Sequence, residues 1–200
     1  MKNTLISIFA ALALTAGAAA ADDFDNTTAS VTAEFEQFAL TVESDSDNGY
    51  TKLQFGATIL EYELSETVDA KIDAFTAHYD AEDQYGVGGS YTLTYSVNDF
   101  SMWGVAEVEY IGLADDFNIG ELYVTPTVGM GYDLTPTVTA WGEVGYTWIA
   151  TNDWDRDGGT VEVGVDFELA DNVVFRTSLS RDFDTAVEET QINLGLNFNF

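Results

Sequence analysis

The sequence predicts an all-β protein: a closed antiparallel up-and-down transmembrane β-barrel of about ten strands, with eight as the alternative count. Three observations carry this. The last ten residues, Gln191 to Phe200, alternate polar and apolar without a break. Ile192, Leu194, Leu196, Phe198 and Phe200 therefore share one face of an extended strand, and Gln191, Asn193, Gly195, Asn197 and Asn199 share the other. Similar period-two runs of about ten residues recur along the chain, the length a tilted strand needs to cross a bilayer and more than a typical soluble strand. No stretch after residue 21 holds 18 uninterrupted apolar residues, so a spanning helix is not how this chain meets a membrane.

Taken in order, residues 1–21 read as a cleaved secretory signal. Lys2 supplies the positive start, Leu5 to Leu14 the apolar run, and small residues precede Asp22-Asp23, with cleavage expected near Ala20 or Ala21. The run is shorter than the roughly 20 residues of an anchor. Residues 22–200 then form one barrel domain, with no linker and only Pro126 and Pro136 as prolines. The first strand, 30–43, changes phase near Gln37: Val31, Ala33 and Phe35 lie on one parity, Phe38, Leu40 and Val42 on the other, and a β-bulge reconciles them. Weaker strands follow at 50–64, 68–79, 101–112 and 173–181. The clearest are Tyr85 to Val97, Leu122 to Tyr132, Val138 to Trp148, Val161 to Leu169 and Ile192 to Phe200. An even total is expected of a bacterial single-chain barrel. The connections at 65–67, 98–100, 133–136 and 170–172 are tight, whereas those at 44–49, 80–84, 113–120, 150–159 and 182–189 are longer and acidic. Tight turns belong on the periplasmic side and long loops outside, which places both termini on the periplasmic side.

The chain carries 35 Asp and Glu against 6 Lys and Arg, so it repels nucleic-acid phosphates. A solubilising surface screened by salt explains such a balance; so does acid placed for cations, in loops or along a lumen. There is no cysteine, and a closed barrel satisfies its backbone without disulfide or metal. Aromatics gather at strand ends on the apolar parity: Tyr95, Tyr132, Phe167 and Phe200 toward the tight turns, Tyr110, Tyr146 and Trp148 toward the long loops. This is the girdle pattern of a barrel in lipid.

The segment Asn193-Leu194-Gly195-Leu196-Asn197-Phe198-Asn199-Phe200 resembles the C-terminal β-signal of bacterial outer-membrane proteins, with Asn193, Gly195, Phe198 and Phe200 at its marked positions. The strand pattern over residues 30–200 is similar to the broad class of small porin-like outer-membrane β-barrels. The resemblance implies outer-membrane lipid as surroundings and the barrel-assembly machinery as a partner in folding.

A barrel's function is written on its inward parity. On this phasing that face carries Glu34, Glu36, Asp73, Glu107, Glu109, Glu143, Glu162, Asp166 and Glu168, with Lys52, Lys71 and Arg176 as the nearby bases. Three bases do not neutralise nine acids unless water fills the space or some carboxylates stay protonated. A hydrated, cation-attracting interior is the expectation; a narrow barrel filled by its own side chains is the competing one. Gly56, Gly129, Gly131, Gly145, Gly164 and Gly195 also fall inward, leaving room for water or suiting strand bending.

No cofactor is expected. Asp153, Asp155 and Asp157 have the alternate-carboxylate spacing of a calcium loop, but Gly164 stands where the bidentate Glu of an EF-hand belongs, which leaves a weak surface Ca²⁺ site against a merely solvated loop. Asp45-Ser46-Asp47-Asn48-Gly49 is weaker still. The one histidine, His78, lies near Asp80 and Asp83 without the surroundings of a known barrel hydrolase, and no Gly-x-Ser-x-Gly, P-loop or cysteine motif occurs, so no enzyme is expected. Three function classes remain: a porin-like barrel passing water and small cations, a closed barrel acting through acidic loops, and a soluble periplasmic barrel binding a small ligand with its apolar face turned inward.

Overall fold

The computed structural model describes residues 26–45, 51–80, 83–113, 120–151, 155–185 and 189–200. They form a closed barrel of eleven strands: β1 (Asn26–Phe35), β2 (Phe38–Asp45), β3 (Thr51–Ser65), β4 (Val68–Tyr79), β5 (Gln84–Val97), β6 (Phe100–Leu113), β7 (Gly120–Thr135), β8 (Val138–Ile149), β9 (Asp155–Ala170), β10 (Val173–Phe183) and β11 (Thr190–Asn199). Each strand pairs antiparallel with its sequence neighbours, and the barrel closes by pairing β1 with β11. Eleven is an odd number, so this last pair is parallel, from Asn26↔Gln191 to Glu34↔Asn199. The count is close to the expected ten, one strand more, and the all-antiparallel closure is corrected by this seam. The expected signal segment lies outside the described residues.

The eleventh strand comes from the phase change near Gln37, which is a hairpin rather than a bulge. Phe35 pairs with Phe38, and Glu36 takes the left-handed conformation (φ 46°) that a two-residue turn requires. Residue 26 consequently lies beside Gln191 at the long-loop end, while Phe200 lies at the tight-turn end, so the expectation that both ends share one side does not hold for the described chain. A true bulge sits at Thr58/Leu60, where Ile59 is the extra residue.

Side chains alternate across the wall as the periodicity demands. The apolar parity faces outward: Val128 is 59% exposed, Val163 54% and Phe200 66%, and Leu196 and Phe198 lie on the same side. At the tight-turn end the outer rings stack in pairs, Phe35 on Phe200 at 5.1 Å and Phe167 on Phe175 at 6.2 Å. Tyr146 meets Trp148 at 4.7 Å toward the long loops. Such a barrel has no large apolar core. Its backbone is satisfied around the ring, and its apolar surface matches lipid rather than water.

The seam is locked at its lower edge. Phe200 N–H donates to the Glu34 carbonyl at 2.9 Å, while its ring lies on Phe35 and on Phe198, at 6.3 Å. Two tight turns repeat one device, a hydroxyl accepting from the backbone two residues on: Ser65 from Thr67 N–H and Thr135 from Thr137 N–H.

Candidate functional site: the lumen wall

Strand pairing settles which acids share the inward face. Asp73 (β4) pairs with Ser90, which pairs with Glu107 (β6), and Glu109 pairs with Gly88. Glu143 (β8) pairs with Glu162 (β9), and Asp166 (β9) with Arg176 (β10). Glu34 and Glu168 lie inward near the tight-turn mouth, whereas Glu36 occupies the β1–β2 turn itself and not a strand face. Lys52, Lys71 and Arg176 are the bases of this parity among the described residues. The bulge at Thr58/Leu60 also turns Glu61 and Glu63 inward, which period-two reading misses because the parity flips there. The adjacent apolar pair Ile59-Leu60 was the signal that could have revealed it. Asp69, opposite Glu63, and Glu43, opposite Lys52, join the same face.

One construction recurs along the wall: an inward aromatic ring lies over an inward glycine and donates a hydrogen bond to a carboxylate. The Trp103 indole (β6) covers Gly129 (β7) and its Nε1–H reaches Glu143 (β8) at 3.1 Å. Trp141 (β8) covers Gly164 (β9) and donates to Asp166 at 2.8 Å. Tyr79 (β4) lies over Gly86 (β5), and its hydroxyl donates to Glu109 (β6) at 2.6 Å. A Cβ on any of these glycines would overlap the ring or the carboxylate. Gly129 and Gly164 therefore do not leave open space; each seats an indole ring against the wall. Gly56 alone of the inward glycines expected to leave room has no atom closer than 3.9 Å.

The acids divide by partner. Asp166 receives two hydrogen bonds from the Arg176 guanidinium, at 2.8 and 2.6 Å, while that guanidinium stacks on Trp141 at 4.7 Å. Asp73 pairs with Lys71 at 3.3 Å and accepts from Thr58 at 2.8 Å. Glu109, Glu143 and Glu162 are held instead by neutral donors: Tyr79, Trp103, and for Glu162 the Ser178 hydroxyl and the Asn193 amide, the latter at 3.0 Å. A neutral donor fixes a carboxylate without cancelling its charge.

Two hollows open off the lumen. One of about 210 Å³ is lined by Glu34, Lys71, Asp73, Phe75, Ser90 and Glu107. The other, about 290 Å³, is lined by Glu43, Glu162, Arg176, Gln191 and Asn193. A larger hollow of about 760 Å³ is bounded mainly by outward chains such as Leu93, Met102, Val128 and Val163, and Trp103, Gly129, Glu143 and Glu162 also border it. Of the assembly-signal positions, Asn193 and Gly195 face the lumen, Gly195 close to Ser30, while Phe198 and Phe200 face outward. Of the proposed calcium loop, Asp153 and the side chains of Asp155 and Asp157 lie outside the described residues, as do residues 46–49. His78 faces outward, its ring against Tyr85 at 4.6 Å and its Nε2 3.3 Å from Asp83.

An apolar outer face around a polar, acid-rich interior, closed into a ring, is the fold of a small porin-like β-barrel. No protein-family model and no curated protein sequence matches the chain. Among solved structures it resembles the NanC porin, with a TM-score of 0.62 and 10% identity over 86% of this chain and 92% of that one. It also resembles the KdgM porin, solved in complex with disordered oligogalacturonate, with a TM-score of 0.61 and 11% identity over 86% of this chain and 91% of the other. At such identities the likeness is one of fold.

Proposed function

We propose that the protein sits in the outer membrane as a passive channel for water and small cations. One observation carries the reading: Glu109, Glu143 and Glu162 are fixed on the lumen wall by tyrosine, tryptophan, serine and asparagine donors, none of which adds a positive charge to that wall. Inward acids outnumber the inward bases, and two of those bases are already engaged by Asp73 and Asp166. A polyanion of the kind named for KdgM is repelled by such a wall. The C-terminal strand supports assembly by the barrel-assembly machinery.

Planar-bilayer recording of the purified protein across a KCl gradient tests this. A reversal potential of cation-selective sign is expected, weakening as salt rises and screens the wall. A silent protein at high salt, or a preference for Cl⁻, overturns it. A second reading, a sealed barrel acting through its acidic loops, is favoured by the packed cluster of Phe75, Ala77, Tyr79 and Glu109, each less than 10% exposed although all point inward. The same recording separates the two.

A further inference from the structure

Inward side chains of a wet barrel stay accessible unless neighbours pack over them, and only one stretch of large inward side chains is deeply buried among the described residues. On β4, Phe75 and Tyr79 are each 8% exposed and Ala77 between them 3%, and Glu109 on β6 is 9% exposed. The intervening strand β5 contributes Gly86 and Gly88. A Cβ at 88 would come within 2.6 Å of Phe75 Cζ, and one at 86 would overlap the Glu109 carboxylate. Two glycines on one strand thus let a phenyl ring, a phenol and a carboxylate close up over it. Phe75 also borders the 210 Å³ hollow. The cluster also already holds a cation: the Lys52 ammonium lies 5.4 Å from the centre of the Tyr79 ring, opposite Tyr79 in the β3–β4 pairing.

We infer that Phe75, Tyr79 and Glu109 form the filter of this barrel, the two rings setting the size of what passes and Glu109, oriented by Tyr79, setting the preference for positive charge. This rests on the conduction reading above and names the residues that determine its selectivity. Lys52 acts against Glu109 there, as a tethered cation that a permeant one meets at the same ring. A permeant ion must shed part of its water at a packed site, which makes one fixed carboxylate count for more than those spread along the wider wall.

The test uses the full exported protein in planar bilayers, with KCl gradients for charge preference and tetraethylammonium chloride as the size probe. Glu109→Gln preserves shape and still accepts the Tyr79 hydrogen bond. It is expected to lower the K⁺ over Cl⁻ permeability ratio by at least about 25-fold, because a unit charge at about 4 Å is worth about fivefold even through water, once in attraction lost to K⁺ and once in repulsion lost to Cl⁻. Lys52→Met is expected to raise that ratio. Phe75→Ala is expected to admit tetraethylammonium, which the wild type excludes; Phe75→Leu, smaller in effect and gentler on packing, is expected to move conductance the same way. If the wild type conducts K⁺ but these variants leave ratio and size limit unchanged, the filter is overturned and the channel stands. If wild type and variants are all silent, the channel falls and the filter with it. A silent wild type beside a conducting Phe75→Ala replaces the filter by a plug and overturns both.

Discussion

Replacing Gly129 by Ala tests whether the lumen rings truly rest on glycine. A Cβ at 129 would stand 2.5 Å from Trp103 Nε1, where ordinary contact begins at 3.4 Å. The indole must therefore retreat by roughly 1 Å, which takes its 3.1 Å bond to Glu143 past the range of a hydrogen bond. Overpacking of this kind costs about 1–3 kcal/mol, and the lost bond adds little because lumen water replaces it. Against this, Ala in a strand gains roughly 0.5–1 kcal/mol over Gly. The net expectation is a loss of about 1–2 kcal/mol in the wild type. In a Trp103→Ala background, with no ring to displace, the same substitution is expected to stabilise by about 0.5–1 kcal/mol. The two single variants, the double and the wild type form a cycle, measured by urea unfolding in lipid vesicles with far-ultraviolet circular dichroism as the signal. A change of the same sign and size in both backgrounds would refute the seating of Trp103 on Gly129.

Three further outcomes follow from the geometry. Val163→Arg puts a charge on the outer face in mid-strand and is expected to cost about 2–4 kcal/mol in vesicles; a cost well under 1 kcal/mol would contradict an apolar face turned to lipid. Arg176→Lys keeps the charge but loses both the two-pronged bond to Asp166 and the stacking on Trp141. A loss of about 1 kcal/mol and greater quenching of Trp141 by acrylamide are expected, and an unchanged protein would show that the partly exposed pair contributes nothing. Deleting Ile59 removes the bulge yet leaves Thr58 inward and Leu60 outward, so the barrel is expected to fold with stability changed by less than about 1 kcal/mol; loss of heat-resistant migration on a gel would show the bulge itself to be required.

Strand periodicity made most of this barrel legible, because each long strand has one face for lipid and one for the lumen. Val161 to Leu169 and Ile192 to Phe200 reveal both faces directly. What failed did so where the local signal lacked its usual residue. The β1–β2 turn has Glu36 and Gln37 in place of the Asn, Asp or Gly that normally marks a two-residue hairpin, so a turn read as a phase slip. By contrast Asn98, at φ 52°, marks its turn plainly. Closure between β1 and β11 joins residues some 165 apart in sequence, and no local pattern encodes parallel against antiparallel pairing at that distance. Most inward acids were readable from parity, Glu61 and Glu63 beyond the bulge excepted, but their partners were not: Trp103 reaches Glu143 across a whole intervening strand, and only the register of β6, β7 and β8 brings them together.

The parallel seam reaches beyond strand counting. In a barrel with an even number of strands the two chain ends adjoin at one rim, and a short linker can join them for circular permutation. Here Asn26 and Phe200 are divided by the length of β1, nine paired residues rising roughly 3.3 Å each, so a linker would have to thread the pore or cross the bilayer. Reporters inserted beside Asn26 and fused after Phe200 should accordingly emerge into different compartments.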